Sequence, residues 1–243
     1  MILDIYKDSF EYSAKDWKTL IILGVCCFFS FLLIPAFLIT GYNYRVIGTA
    51  VHGVINGRDP LPEFDDLIDM FVDGVKVVIV QIVYFIIPAL IFLIFVAIAG
   101  HVGGVLSSAL MIVGCLITFI VGIVAFLMEQ IALSHMAYNE GAFSKAFAFS
   151  EILEVIGDIG WLECLITYLG LIIITVAISV IVTTIIGAIF AVFGISGFVL
   201  GVDASGVFVL GAFVNAMITM FIVGPYLSIF NSRAVGLLYS MQI

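Results

Sequence analysis

The sequence has little charge and very few positive residues. Only 10% of its 243 residues are charged, whereas an average soluble domain has about 25%. Lys and Arg together number eight, against seventeen Asp and Glu, and the formal net charge is −9. This balance is unfavourable for binding nucleic acid, whose phosphates attract Lys and Arg. The composition therefore predicts a protein without a nucleic-acid partner.

Residues that hold metals or carry out catalysis are scarce as well. The four cysteines form no C-x-x-C pair, which argues against a disulfide framework or a zinc site. His52, His101 and His135 are far apart in the chain and match no metal-ligand spacing. The sequence contains no Walker loop, nucleophile elbow or pair of intramembrane carboxylates. We therefore predict no cofactor, no metal site and no enzymatic activity.

Apolar residues, by contrast, make up 64% of the chain, and the mean hydropathy is +1.35. The longest apolar blocks span residues 75–99, 105–128, 161–193 and 207–230. Each exceeds the ~20 residues that a helix needs to cross ~30 Å of hydrocarbon. An earlier block contains Pro35, and proline breaks helices. We predict that residues 18–56 turn back near Pro35 as a hairpin; the alternative is a single crossing.

The positive residues are distributed unevenly among the segments between these blocks. None of the eight lies in loops 99–104 and 194–206, whose only Asp or Glu is Asp203. Positive residues that flank membrane helices are retained on the cytoplasmic side. We therefore predict a multi-pass protein of the cell membrane with both termini in the cytoplasm and with these two loops outside.

Three segments, 1–17, 62–73 and 143–158, have apolar residues on one helical face and charged residues elsewhere. Each is predicted to be an amphipathic helix at the membrane interface. The predicted fold is all-α: a polytopic transmembrane helical bundle of about five or six membrane helices. The three interfacial helices lie on its cytoplasmic side, and residues 1–243 form a single membrane domain.

Short sequence matches indicate an internal repeat. Residues 64–69 (FDDLID) resemble residues 149–154 (FSEILE), and residues 42–48 (YNYRVIG) resemble residues 230–236 (FNSRAVG). The predicted unit is an interfacial helix, a helix going out and a helix coming back, a type of repetition that is common in membrane folds. Three copies fit the chain: 1–56, 62–140 and 143–243.

Polar residues occupy corresponding positions in these repeats. Arg45 matches Arg233, and the same offset in the middle repeat falls on Glu129. Polar residues within a membrane bundle are costly and often mark substrate or ion paths. One hypothesis brings these three residues together at the cytoplasmic mouth of the bundle, with Asn43 and Asn231 beside them. The alternative is that Glu129 and Arg233 lie at or beyond the interface, where long side chains reach water.

The segment 62–73 also carries an unusual concentration of acidic residues. They are Glu63, Asp65, Asp66, Asp69 and Asp73. Interfacial helices normally carry Lys and Arg on their polar face. One interpretation is a docking face for a basic partner, or loose binding of a divalent cation by carboxylates. The other is a solvated face that keeps the helix off the membrane interior.

Several of these residues also carry a family resemblance. They are Gly41-Tyr42-x-x-Arg45-Val46, Gly57, residues 61–66 (LPEFDD), residues 71–76 (FVDGVK) and Gly141-Ala142-Phe143-x-x-Ala146-Phe147-x-Phe149-x-Glu151-Ile152. Together they resemble an uncharacterised family of archaeal integral membrane proteins, domain of unknown function 4013. The resemblance implies a shared topology and an archaeal origin. Because the family has no established activity, it implies no active site.

The function predicted from the sequence is that of a non-enzymatic membrane scaffold or accessory subunit. Its expected partners are the lipid bilayer and a cytoplasmic or membrane protein. The alternative is a small transporter or channel with a polar cytoplasmic mouth. The low polarity of the apolar blocks favours the first interpretation.

Overall fold

The computed structural model describes residues 1–199 and 205–242, and within them all regular secondary structure is helical. The first half contains α1 (Ile2–Ser13), α2 (Trp17–Phe28), α3 (Leu33–Val51), α4 (Leu67–His101) and α5 (Gly104–Tyr138). The second half contains a 3-10 helix (Phe143–Phe147), α6 (Phe149–Ile159), α7 (Trp161–Val199), α8 (Ser205–Ile218), a π-helical turn (Thr219–Val223), α9 (Gly224–Tyr239) and a 3-10 turn (Ser240–Gln242). The predicted all-α fold is confirmed.

Four helical stretches are long and apolar enough to cross a membrane. They are Leu67–His101, Gly104–Tyr138, Trp161–Ser196 and Ser205–Gln242. Each contains one of the four apolar blocks of the sequence, and most of their side chains remain exposed on the outside of the bundle. Apolar side chains exposed in this number are stable in lipid and not in water. The chain is therefore built for insertion into a membrane.

Residues 18–56 fold back on themselves as a helical hairpin. α2 ends at Phe28, α3 begins at Leu33, and the turn between them precedes Pro35. Proline is tolerated in the first turn of a helix, where its missing N–H has no intrahelical acceptor. Leu20 of α2 packs in one cluster with Tyr42 of α3, so the start of the first limb meets the second half of the returning limb. With 12 residues, α2 is much shorter than the four spanning helices.

The three predicted interfacial helices take forms that the sequence pattern does not indicate. Residues 62–66 are not helical, and α4 begins at Leu67 and runs without interruption into a membrane-spanning helix. The segment 143–158 divides at Ala148 into the 3-10 helix and α6. α1 packs against α9 and buries one side, so it is part of the bundle.

The connections between the long helices are shorter than predicted. Only Val102 and Gly103 separate α4 from α5, in place of the predicted loop 99–104. α7 extends to Val199, beyond the predicted start of the second loop at residue 194. The rest of that loop, residues 200–204 with Asp203, lies outside the described residues.

The packed core is concentrated at one end of the bundle. In α5, most residues from Leu127 to Ala137 are buried, whereas Gly114 and Ala125 are the two buried residues of the preceding part of the helix, residues 104–126. α9 is buried along nearly its whole length. The charged side chains of the described residues cluster at the same end, which we call the polar end. Beyond it, α4 pairs with α5, and α7 pairs with α8.

Glycines allow the closest helix contacts. A Cβ atom at Gly41 of α3 would collide with the backbone carbonyl of Met70, and one at Gly74 of α4 would collide with that of Phe37. The two contacts show that α3 and α4 run antiparallel with their backbones touching. Such small-residue contacts are a common means of packing helices in membranes.

Candidate functional site

A long irregular segment, residues 53–66, crosses the polar end between α3 and α4; we call it the strap. Connections of this length without secondary structure are uncommon in compact domains and are frequently functional. Side chains from three helices bind it. Asp8 Oδ2 accepts a hydrogen bond from the Asn56 N–H at 2.6 Å, and the hydroxyls of Tyr12 and Tyr42 donate to the carbonyls of Pro60 and Pro62. The strap is therefore held in one conformation.

Arg233 of α9 is the central residue beneath the strap. Its side chain is 0% exposed. Its Nε donates a hydrogen bond to Asp8 Oδ1 at 2.9 Å, and its Nη2 donates one to Asp59 Oδ2 at 2.9 Å. Asp8 is 4% exposed and Asp59 is 30% exposed. We call this group of three residues the arginine clamp. It joins the first helix, the strap and the last helix of the fold.

The ring of Tyr12 closes the clamp from the α1 side. The Arg233 guanidinium lies 4.4 Å from the centroid of this ring, a cation–π geometry. Burial raises the pKa of the Tyr12 phenol to about 12, although the positive charge of Arg233 opposes that shift. The hydroxyl is therefore neutral at ordinary pH and can donate to the strap.

Arg45 of α3 binds the other end of the strap. Its guanidinium donates to the carbonyl oxygens of Asp65 and Asp66 and forms an ion pair with the Asp65 carboxylate at 3.2 Å. Arg45 is 20% exposed and Asp65 is 57% exposed, so this pair is far better solvated than the clamp. Arg45, Arg233 and Glu129 thus have different partners, and the structure shows no hydrogen bond or ion pair that joins them within the described residues.

An open cavity of about 820 Å³ lies beside the strap at the polar end; we call it the outer cavity. Charged side chains dominate its lining. Its carboxylates are Asp59, Glu63, Asp65, Asp73 and Glu140, and its cations are Arg45 and Lys76. Five negative and two positive groups give the lining a formal charge of −3 with His52 neutral. The cavity therefore attracts cations and positively charged groups.

The five residues of the predicted acidic face have different surroundings. Asp65 pairs with Arg45, and Asp73 pairs with Lys76 at 3.1 Å. Asp66 precedes α4 in a left-handed conformation with φ of 44°. Glu63 and Asp69 are exposed, and neither side chain forms a hydrogen bond or an ion pair within residues 1–199 and 205–242. The face is thus part of the strap and of the first turns of α4, and only some of its charge is neutralised.

Glu129 and the two asparagines lie deeper in the bundle. Glu129 is 1% exposed, its carboxylate accepts a hydrogen bond from Gln130 Nε2, and Gln81 lies beside it. Asn43 lines a cavity of about 200 Å³, the inner cavity. Asn231 donates to Thr175 Oγ1 at 3.3 Å and lines a third cavity of about 320 Å³, the side cavity. The surrounding helices enclose the Glu129 side chain, which therefore does not extend to the surface of the bundle.

Sequence reasoning missed a second polar network at this end. His135 Nδ1 lies 2.7 Å from the Tyr239 hydroxyl, and His135 Nε2 lies 2.9 Å from Glu151 Oε2. Lys145 donates to both oxygens of Glu151 at 2.9 and 2.8 Å. Lys145, and after it His135, hold the pKa of the Glu151 carboxyl below its ordinary value. The network joins α5, α6, α9 and the 3-10 helix, and no local spacing in the sequence marks it.

Within the part of the chain that the structure describes, no group of three or more His, Cys, Asp or Glu residues is arranged to hold a metal ion. The arrangement at the polar end includes side chains that fix a loop, the acidic outer cavity, and the inner and side cavities. It can hold a surface rigid and attract cations.

Comparisons with known proteins give relatives without an assigned activity. The chain is 29% identical over 226 residues to the uncharacterized protein MJ1189 of Methanocaldococcus jannaschii, a match that covers 88% of this chain and 73% of the relative. It is 25% identical over 259 aligned positions to the uncharacterized protein MJ0233 of the same archaeon, covering 98% and 82% respectively. No solved structure matches the chain. The family described as "Protein of unknown function (DUF4013)" matches residues 28–191. This chain belongs to the DUF4013 family.

Proposed function

We propose that this protein is a non-enzymatic membrane scaffold or accessory subunit of the cell membrane, with its polar end and both termini in the cytoplasm. The distribution of Lys and Arg supports this orientation, since all eight belong to segments at the polar end. A reporter fused after Gly57, within the strap, tests it. The proposal requires the reporter in the cytoplasm, on the same side as the N-terminus, and a reporter on the outer side of the membrane overturns it.

The observation that carries the scaffold role is the rigid display of acidic residues by the strap. Five side chains from three helices and one from the α1–α2 connection bind its backbone or its carboxylates: Asp8, Tyr12, Tyr42, Arg45 and Arg233, and Lys15. A surface that is already ordered loses less conformational entropy when it binds a partner. These contacts thus hold in place the surface that carries Glu63, Asp66 and Asp69.

The charge of this surface selects the kind of partner. Carboxylates repel the anionic headgroups of the cytoplasmic leaflet and attract Lys and Arg. We therefore infer a partner with a basic segment, either a cytoplasmic protein or a neighbouring membrane protein. The apolar faces of the four long helices contact the lipid bilayer.

The experiment is gentle extraction from the native membrane, affinity purification and quantitative mass spectrometry of the co-purifying proteins. The test variant is Glu63→Gln/Asp69→Asn, which removes two exposed charges of the acidic face. The matched control is Glu154→Gln/Asp158→Asn, which removes two exposed charges from α6. A stoichiometric partner that is lost with the test variant and kept with the control supports the proposal. A partner retained by both variants, or no stoichiometric partner, contradicts it.

A second candidate function is that of a small transporter or channel. The observation that favours it is the adjacency of the three cavities: Tyr44 lines both the outer and the inner cavity, and Gln130 lines both the inner and the side cavity. Flux into liposomes that contain the purified protein tests this candidate, with Arg45→Ala as the variant that alters the outer cavity. Flux equal to that of empty liposomes rejects it.

A further inference from the structure

The inner cavity is an unusually polar space for the interior of a membrane bundle. Its volume is about 200 Å³, and six of its lining residues are polar: Thr40, Asn43, Tyr44, Gln81, Gln130 and Ser232. They come from α3, α4, α5 and α9, so the cavity is a property of the assembled fold. Polar groups within a membrane bundle are expensive and usually have a function.

Two buried oxygen atoms of residues that line this cavity have no protein partner within the described residues. They are the hydroxyl of Tyr44 and Oδ1 of Asn43, both buried. The Tyr44 side chain as a whole is 6% exposed. Buried polar atoms are almost always hydrogen-bonded or bound to something, and an unsatisfied one costs about 1–3 kcal/mol. A cation held between these side chains would give both oxygens a partner.

A buried carboxyl group lies directly behind this wall. Glu129 is 1% exposed, and its Oε1 has no hydrogen-bond partner among residues 1–199 and 205–242. The neighbours of its carboxylate are Gln130, which donates through Nε2, and Gln81. Both glutamines also line the inner cavity. An amide that donates its N–H to a carboxyl oxygen keeps its own carbonyl oxygen as an acceptor, so the two glutamines connect the Glu129 carboxyl group to the cavity.

We propose that the inner cavity binds a small monovalent cation of the Na⁺ or K⁺ class, with Asn43, Tyr44, Gln81 and Gln130 as oxygen ligands and Glu129 as the balancing charge. The single carboxylate matches a single positive charge. Divalent cations such as Ca²⁺ are usually held by several carboxylates. The volume admits the ion together with a few water molecules, each of which occupies about 30 Å³ of liquid.

The outer cavity provides the approach to this site. Its lining has a formal charge of −3, and it shares Tyr44 with the inner cavity. A cleft lined by one sign of charge concentrates ions of the opposite sign. The cation therefore enters from the polar end, and its binding is independent of whether the protein acts as a scaffold.

The test is direct binding of ²²Na⁺ and of ⁸⁶Rb⁺, a substitute for K⁺, to the purified full-length protein in detergent. Choline replaces the ions to keep the ionic strength constant. The proposal predicts saturable binding of at least one ion, with about one site per chain. In Glu129→Gln, which keeps the shape and removes the charge, the affinity should fall about 10–100-fold, as is usual when a supporting carboxylate is lost.

A pair of asparagines offers a matched control. Asn43→Ala removes a wall oxygen of the inner cavity, whereas Asn215→Ala removes an oxygen in α8 that is likewise buried and without a partner among the described residues but does not line this cavity. Binding should weaken in Asn43→Ala and remain unchanged in Asn215→Ala. No saturable binding of either ion to folded wild-type protein overturns the proposal. Equal affinity of wild type and Glu129→Gln overturns it as well.

Discussion

The two arginines that are equivalent in the sequence repeat should differ greatly in their effect on stability. Replacement of Arg233 by Met keeps an unbranched apolar side chain at this position and removes the guanidinium group with its charge. Asp8, which is 4% exposed, is then left buried without its partner. Breaking a buried ion pair in this way costs about 3–5 kcal/mol. The Asp59 contact adds about 1 kcal/mol or less, because Asp59 is 30% exposed and its charge is screened by water.

The matched control is Arg45→Met. Arg45 also joins α3 to the strap, but its ion pair with Asp65 is exposed, and such pairs contribute about 0–1 kcal/mol. The double variant Asp8→Asn/Arg233→Met should be more stable than Arg233→Met alone, because it contains no isolated buried carboxylate from this pair. Equilibrium unfolding in mixed micelles, followed by the fluorescence of Trp17 and Trp161, measures all four proteins.

A second assay locates the effect. Arg58 is an exposed trypsin site within the strap. Because every 1.4 kcal/mol changes a population about tenfold, loss of 3 kcal/mol from the clamp should expose this site to cleavage about 100-fold more often. Arg45→Met should accelerate cleavage only slightly. If Arg233→Met and Arg45→Met lose the same free energy of unfolding and are cleaved after Arg58 at the same rate, the assignment of the clamp is refuted.

Two further predictions concern packing and charge elsewhere. Gly41→Ala places a methyl group against a backbone carbonyl of α4 and should lower the free energy of unfolding by about 1–3 kcal/mol, whereas Gly48→Ala, with open space around it in the described structure, should not destabilise the protein. Carbon-13 NMR titration should show a higher pKa for Glu151 in Lys145→Ala, because Lys145 makes the largest contribution to lowering it. Since the folded protein has the lower pKa, stability from Glu151 is present above its unfolded pKa and is lost as the pH falls through the folded value; Lys145→Ala should reduce this acid-dependent loss. An unchanged pKa in that variant contradicts the ion pair.

The positions of the membrane-spanning helices could be predicted from the sequence because they depend on local composition. A run of ~20 apolar residues has few alternatives to a helix in lipid. The hairpin at residues 18–56 was also predictable, from the charges on both sides of the block. The site of its turn was less so, since Pro35 is accommodated in the first turn of α3 and the break precedes it.

The polar contacts at the polar end could not be predicted, because they join residues far apart in the chain. Asp8 lies 225 positions from Arg233, and on a helical wheel it falls at the edge of the buried face, between Tyr12 and the exposed Glu11. Its burial results from the packing of α1 on α9. The proposed threefold repeat stays a prediction, although it drew attention to Arg45, Arg233 and Glu129, which have three separate roles in the structure.

The measurement that tests the scaffold proposal most directly is the mass of the particle released from its native membrane without prior dissociation, by native mass spectrometry. The proposal predicts a particle heavier than the 26.3 kDa chain by at least one different polypeptide in a fixed ratio. A particle that contains only this chain, alone or in several copies, contradicts it.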